Sequence, residues 1–350
     1  MGVVTKCDLI SVVIEIAECS NCAVKNAVRK AWCRPRPLLR ILLTVALAIF
    51  SFALQARAQA LGTSVYMYED TRRLVSLVSD AATLMARKGE AAFAQFRVPN
   101  SHWMYGDCYV FIYTVDGTCV FQPEEPTLVG KNLIEMRDIA GRPIVRGITD
   151  VARRPEPDAS GWVFYLWEDL PRLSPSWKAT YIRKVVTPDH KVYALGAGLY
   201  HPKTERVFVK DNVDKAVQLL SQVGQAGMER LHDPSFTVLD SYIFVMDAHG
   251  RFLLDPVFPT LEPRDKWAFT DAVGVPVIQK VLQRLSGQED VWMTYLEAEP
   301  GGRTPSRKAI YVRKIRLGGE TLYVGSDFFL PAPVWMKVEN ESRCHRDPPT

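Results

Sequence analysis

The chain is poor in the residues that metal, redox and nucleophilic chemistry require. Its six histidines, His102, His190, His201, His232, His249 and His345, fall into no H-E-x-x-H or H-x-H spacing, so no metal site is expected. There is no G-x-S-x-G, no Walker loop and no G-x-G-x-x-G; Gly196 and Gly198 end a strand without a third glycine. An enzyme is not expected, nor is a cofactor. Of seven cysteines, Cys7, Cys19, Cys22 and Cys33 precede residue 58, and the single C-x-x-C at Cys19 and Cys22 has no second half. Cys108 and Cys119 sit at unequal distances from the turn at Asp116 and Gly117, so no disulfide framework follows.

Charge of one sign is also missing from most of the chain. The total is 43 basic and 39 acidic residues, but residues 1–58 hold eight basic and three acidic ones, leaving 35 against 36 in the rest. A near-neutral body without a basic stripe excludes nucleic acid as an expected partner. The basic surplus belongs to targeting. Arg29, Lys30, Arg34, Arg36 and Arg40 precede an uncharged run at 41–54, followed by small residues at Ala56, Ala58 and Ala60. This is the order of a secretory signal peptide, with cleavage near Ala58 or Ala60. Fourteen residues span about 21 Å as a helix, short of the roughly 30 Å of a bilayer core. The alternative is an anchor formed by the same helix left uncleaved. A periplasmic or secreted protein is expected, since no second apolar span follows.

What the sequence does contain is a repeat. At a shift of 133, Tyr109, Phe111, Gly117, Pro123, Pro126, Leu128, Asp138, Gly141 and Pro143 meet Tyr242, Phe244, Gly250, Pro256, Pro259, Leu261, Asp271, Gly274 and Pro276. Further on, at a shift of 130, Trp162, Tyr165, Lys178, Tyr181, Arg183, Lys184 and Tyr193 meet Trp292, Tyr295, Lys308, Tyr311, Arg313, Lys314 and Tyr323. So many glycines, prolines and aromatics in one order indicate a duplication. The boundaries read as a leader at 1–58, a first module at 65–203, a second at 204–330 and a polar tail at 331–350.

Each copy opens on an amphipathic helix, with Leu74, Leu77, Ala81 and Leu84 at helical spacing in the first and Val213, Val217, Leu220 and Val223 in the second. A hairpin follows, turned at Gly117 and Gly250, then a Pro/Gly-rich loop, a short helix near 144–152 or 277–285, and three more strands. Strands at 162–167, 179–186 and 191–199, mirrored at 291–296, 309–315 and 321–328, joined by short turns, make an antiparallel sheet. The expected class is α+β: two tandem PAS-like modules, each a sheet of about five strands with a long N-terminal helix. The linker is expected to be a continuous helix from about Glu205, joining the two modules into a rigid rod.

The stretch DGTCVFQPEEPTLVGKNLIEMRDIAGRPIV, then GWVFYLWEDL, KATYIRKV and YALGAGLY, resembles the Cache family of extracytoplasmic sensor modules, of the single-Cache type 2 kind. The resemblance implies a PAS-like sheet holding a small molecule on one face. It also implies a signalling domain or membrane-bound signalling partner; after Phe329 only a short polar tail follows, so no built-in transducer is expected.

Strand alternation ranks the candidate ligand residues. Tyr165 and Trp167 share a face, and a hairpin to the next strand sets Lys178 opposite Trp167. An ammonium, a phenol and an aromatic wall suit a small carboxylate, amino acid or amide. The resemblance implies the same tyrosine and lysine, and adds Asp138, whose carboxylate would favour a ligand bearing a donor. Tyr109, Trp162 and Tyr181 complete the set, the last two by parity on the opposite face, where packing is the competing role. Asp138 has a competing role as a turn-former beside Gly141 and Pro143. The second-module equivalents are Asp271, Tyr295, Lys308, Trp292 and Tyr311, with Glu297 in place of Trp167. The expected function is small-molecule sensing or binding in the first module. The alternative is a structural module with a vestigial pocket, forming homodimers through its long helices.

Overall fold

The computed structural model describes residues 63–169, 174–257 and 262–331. The expected leader with its cleavage point, and the tail beyond Pro331, lie outside these residues. Among them no helix is long and apolar enough to cross a membrane.

Helix α1, Glu69–Lys88, buries Leu74, Leu77, Ala81 and Leu84 on one stripe with Val78 and Met85. It has no capping side chain of its own. Instead Glu205, fully buried and distant in sequence, accepts the N–H groups of Met67 and Tyr68 at 2.6 and 3.0 Å. A carboxylate at a helix N-terminus also meets the positive end of the dipole.

Six strands follow: β1 Met104–Tyr105, β2 Cys108–Thr114, β3 Cys119–Phe121, β4 Ser160–Asp169, β5 Ser174–Val186 and β6 Val192–Tyr200. They form one antiparallel sheet in the order β1-β2-β6-β5-β4, with β3 also on β2. Alternation along β2 divides the two cores. Val110 and Ile112 pack under α1, while Tyr109, Phe111 and Tyr113 face helix α2, Ile144–Arg153.

The second half repeats this order. Helix α3, Arg206–Val223, precedes β9 Phe244–Met246, β10 Arg251–Leu254, β11 Arg264–Asp265, helix α4 Val277–Leu285, β12 Asp290–Ala298, β13 Pro305–Leu317 and β14 Glu320–Phe329. The sheet runs β11-β10-β9-β14-β13-β12, and a separate ribbon pairs β7 Thr237–Val238 with β8 Ser241–Tyr242. Val213, Val217 and Leu220 are buried, but Val223, the last helical residue, is exposed. Phe208 of α3 packs into the first core against Trp162 and Phe164, while Val209 and Val213 belong to the second.

Both sheets need glycine where a phenylalanine crosses the neighbouring strand. A Cβ on Gly196 would meet Ile182 Cδ1 at 2.4 Å and Phe111 Cζ at 3.0 Å; one on Gly325 would meet Phe244 Cζ at 2.3 Å. This pairing of Gly196 with Gly325 corrects the alignment at the last strand. Lys178 lies opposite Tyr200, and Lys308 opposite Phe329, so the path from the lysine round the turn to its partner is one residue shorter in the second sheet. Tyr193 and Tyr323 are therefore not equivalents: Tyr193 packs on the α1 face and Tyr323 on the α4 face. One residue of slip exchanges the faces of a strand.

Candidate ligand site

The face of the first sheet covered by α2 holds a small cavity lined by Tyr109, Phe111, Gln122, Tyr165, Trp167 and Lys178, with Ile144 and Ile148 from α2. Its volume of about 10 Å³ has room for about one water molecule. Tyr165 and Lys178 are direct cross-strand partners, and Trp167 lies opposite Ser176. The expected pairing of Lys178 with Trp167 is thus two residues off, which leaves all three on one face because the side-chain period is two.

Lys178 is 2% exposed. Its ammonium donates to the Tyr109 hydroxyl at 2.9 Å and lies 4.4 and 4.5 Å from the ring centres of Tyr109 and Tyr200. Among the described residues no carboxylate forms an ion pair with it. Burial pushes its pKa down from 10.5 to about 8, the Cys108 thiol and the carboxylates of Glu125, Asp107 and Glu124 only partly opposing this. Thr180 donates to the Tyr165 hydroxyl at 2.9 Å, and burial holds both Tyr109 and Tyr165 above the ordinary phenol value, as neutral hydrogen-bonding groups. Trp167 is half-buried, its indole N–H donating to Glu125 at 3.1 Å.

Asp138 is not part of the cavity lining. Its carboxylate accepts the N–H groups of Ala140, Arg142 and Leu166 at 3.0, 2.8 and 2.9 Å and pairs with Arg142 Nη1 at 3.1 Å. Burial pushes its pKa up, but these donors outweigh it and hold the group below the usual carboxylate range. Asp271 does the same work in the second half, accepting from Val273, Val275 and Leu296. Both aspartates close the D-x-x-G-x-P turn and pin it to the adjoining strand, so neither is spare for a ligand.

Trp162 and Tyr181, also expected as site residues, stand on the α1 face. Trp162 donates to the Tyr66 hydroxyl and packs on Phe208. Trp292 and Tyr311 take the same face in the second sheet, stacked at 4.7 Å. Parity decides this, since Trp162 and Trp292 lie three residues from Tyr165 and Tyr295, and Tyr181 and Tyr311 three from Lys178 and Lys308.

Two residues were not found from the sequence. Tyr200 was reachable, because the β5–β6 pairing brings it against Lys178. Gln122 carried no signal. It is 5% exposed and lines the cavity, and its side-chain oxygen has no hydrogen-bond partner. A buried acceptor left unmatched is uncommon and points to a missing donor.

The second sheet differs at this spot. Lys308 Nζ is 2.9 Å from Glu297 and 3.1 Å from Asp327, and the Tyr295 hydroxyl donates to Asp327 at 3.0 Å. By sheet register Asp327 stands where the first sheet has Gly198. A side chain there would meet Lys178 Cε at 2.7 Å.

Two α-flanked antiparallel sheets of one strand order, one with a buried cation in a polar-aromatic cavity, define a PAS-like sensor fold. A Cache-domain family model matches residues 97–330, a span that includes both sheets. The chain belongs to the Cache family, whose domains are extracytoplasmic small-molecule sensors. No curated protein matches it. Similar solved structures include a methyl-accepting chemotaxis protein from Vibrio parahaemolyticus RIMD 2210633, 19% identical over 37% of this chain and 88% of that one, with a TM-score of 0.31. Another is a Cache chemosensory domain described as recognising carboxylic acid, 18% identical over 36% and 92%, with a TM-score of 0.31. A third is the ligand-binding domain of the Pseudomonas aeruginosa PAO1 amino acid chemoreceptor PctB with L-Arg, 14% identical over 73% and 85%, with a TM-score of 0.26.

Proposed function

We propose that this chain is an extracytoplasmic binding protein whose first sheet senses a small carboxylate and presents it to a membrane-bound signalling partner. The observation that carries this reading is Lys178: a buried ammonium with no carboxylate beside it, facing two phenols and an unmatched glutamine oxygen. An anionic ligand supplies the missing charge, and a charge-assisted hydrogen bond in a dry site is strong. With Asp138 committed to the backbone, an acid is favoured over a ligand that needs an anionic acceptor. Gln122 then suits a hydroxyl on that acid. Entry requires more room than the cavity offers, and Trp167, half-buried, bonded to Glu125 and edge-on to Tyr165, is the wall that can turn aside.

The small cavity itself favours a second reading, a vestigial pocket in a structural module that dimerises. Thermal denaturation of the full chain with acetate, propionate, lactate, pyruvate and succinate, and with acetamide and propionamide, separates the two. A carboxylate sensor gains about 2.7 kcal/mol at a hundred times the dissociation constant, and loses that gain in Lys178→Met. Stabilisation by none of the acids, or equal stabilisation of both proteins, rejects the carboxylate reading.

A further inference from the structure

The α4 face of the second sheet opens into a cleft of about 1500 Å³, far larger than the cavity of the first sheet. Its apolar wall includes Phe244, Phe252, Phe269 and Ile278, with Tyr242 beside them. At its floor one ammonium, Lys308, sits between two carboxylates, Glu297 and Asp327. We propose that this cleft is a second binding site, selective for organic amines.

The sign of the floor decides the ligand class. The first sheet carries tryptophan and glycine where Glu297 and Asp327 stand, so its lysine awaits an anion. In the second sheet the lysine is already doubly paired: burial pushes the Asp327 carboxyl up, Lys308 and Tyr295 oppose that rise, and with both acids ionised the cluster keeps one negative charge in excess. The rest of the lining does not reverse this. Lys203, Arg264 and Lys266 balance Asp240, Asp265 and Glu299, and Lys266 is itself bound at 2.8 Å by the fully buried Asp255. An incoming ammonium would meet carboxylate oxygens and the faces of several aromatic rings, both favourable to a cation in a partly dry site. A carboxylate would meet like charge. The cleft's size admits an amine with an aromatic or extended body.

Amine binding in this cleft is independent of any ligand in the first sheet. Calorimetric titration of the full chain with phenethylamine, putrescine and tetramethylammonium tests it, with phenylacetate as the anion of matched shape. At least one amine should bind, and bind equally to Lys178→Met, in which phenylacetate should not bind. Glu297→Gln and Asp327→Asn, each nearly isosteric, should weaken the amine roughly tenfold, the effect of one lost charge contact. Glu297 is partly exposed, so Glu297→Gln should fold even where Asp327→Asn does not. Failure of all three amines, an affinity unchanged in Glu297→Gln, amine binding lost in Lys178→Met, or phenylacetate binding Lys178→Met as tightly as the amine, would each overturn the proposal.

Discussion

Replacing Lys178 with methionine should stabilise the protein at neutral pH, because the buried ammonium is a liability until a ligand arrives. In the folded protein its pKa is pushed down from 10.5 to about 8. Each pH unit between those values is worth about 1.4 kcal/mol, so the folded state carries a penalty of about 3 kcal/mol wherever the lysine is charged in both states. That condition holds below pH 8. Between pH 8 and 10.5 the unfolded chain binds the proton and the folded chain does not, so stability of the natural protein rises with pH. Above 10.5 the penalty is gone. Methionine has a similar length and no charge, so Lys178→Met should be more stable by up to about 3 kcal/mol at pH 7, an advantage that fades towards pH 10.5. Urea denaturation of both proteins from pH 6 to 10.5 measures the difference. A variant less stable at pH 7, or a difference that does not change with pH, refutes the claim that this ammonium is uncompensated.

Three other substitutions probe the frame and the site. Asp138→Ala strips three backbone N–H groups and the Arg142 guanidinium of their acceptor, and breaking such a buried pair should cost about 3–5 kcal/mol; a loss below about 1 kcal/mol in urea denaturation would show the turn needs no carboxylate. Glu205→Ala leaves the Met67 and Tyr68 N–H groups unmatched and should cost about 2 kcal/mol or more, with amide exchange at the start of α1 accelerated. Unchanged exchange there contradicts the capping role. Gly198→Asp places beside Lys178 the carboxylate that Asp327 gives Lys308, and should abolish any stabilisation by small acids; acid binding that survives it means the anion is held elsewhere.

Much of the architecture was legible because like residues recur in the same order in both halves of the chain. Glycines at the two hairpins and the helical stripes at Leu74 and Val213 fall where the fold requires them. The face shared by Tyr165, Trp167 and Lys178 was also readable, since parity survives an error of two in register. Details that depend on turn length were not. The path from β13 to β14, shorter by one residue, slid Tyr323 onto the opposite face from Tyr193 and hid the match of Asp327 with Gly198. Asp138 is a ligand candidate only through the Cache resemblance, with turn formation as its competing role, and its bond to Leu166, 28 residues away, is one that no local pattern reports. Gln122 lies in an ordinary polar loop and becomes conspicuous only when burial leaves its oxygen unmatched.

The divergence of the two lysines gives the molecule its physical logic. Lys308 is neutralised within its own sheet, whereas Lys178 is not. A ligand carboxylate in the first cavity should therefore restore the lysine's proton affinity, and near pH 8, where the free lysine is about half protonated, binding should draw a proton from solution. Calorimetric titration with the tightest-binding small acid, at pH 8 in two buffers of different ionisation heat, measures that proton directly. Uptake approaching half a proton per site, absent in Lys178→Met, is the expected result; acid binding with no proton uptake would mean that Lys178 is not the group that receives it.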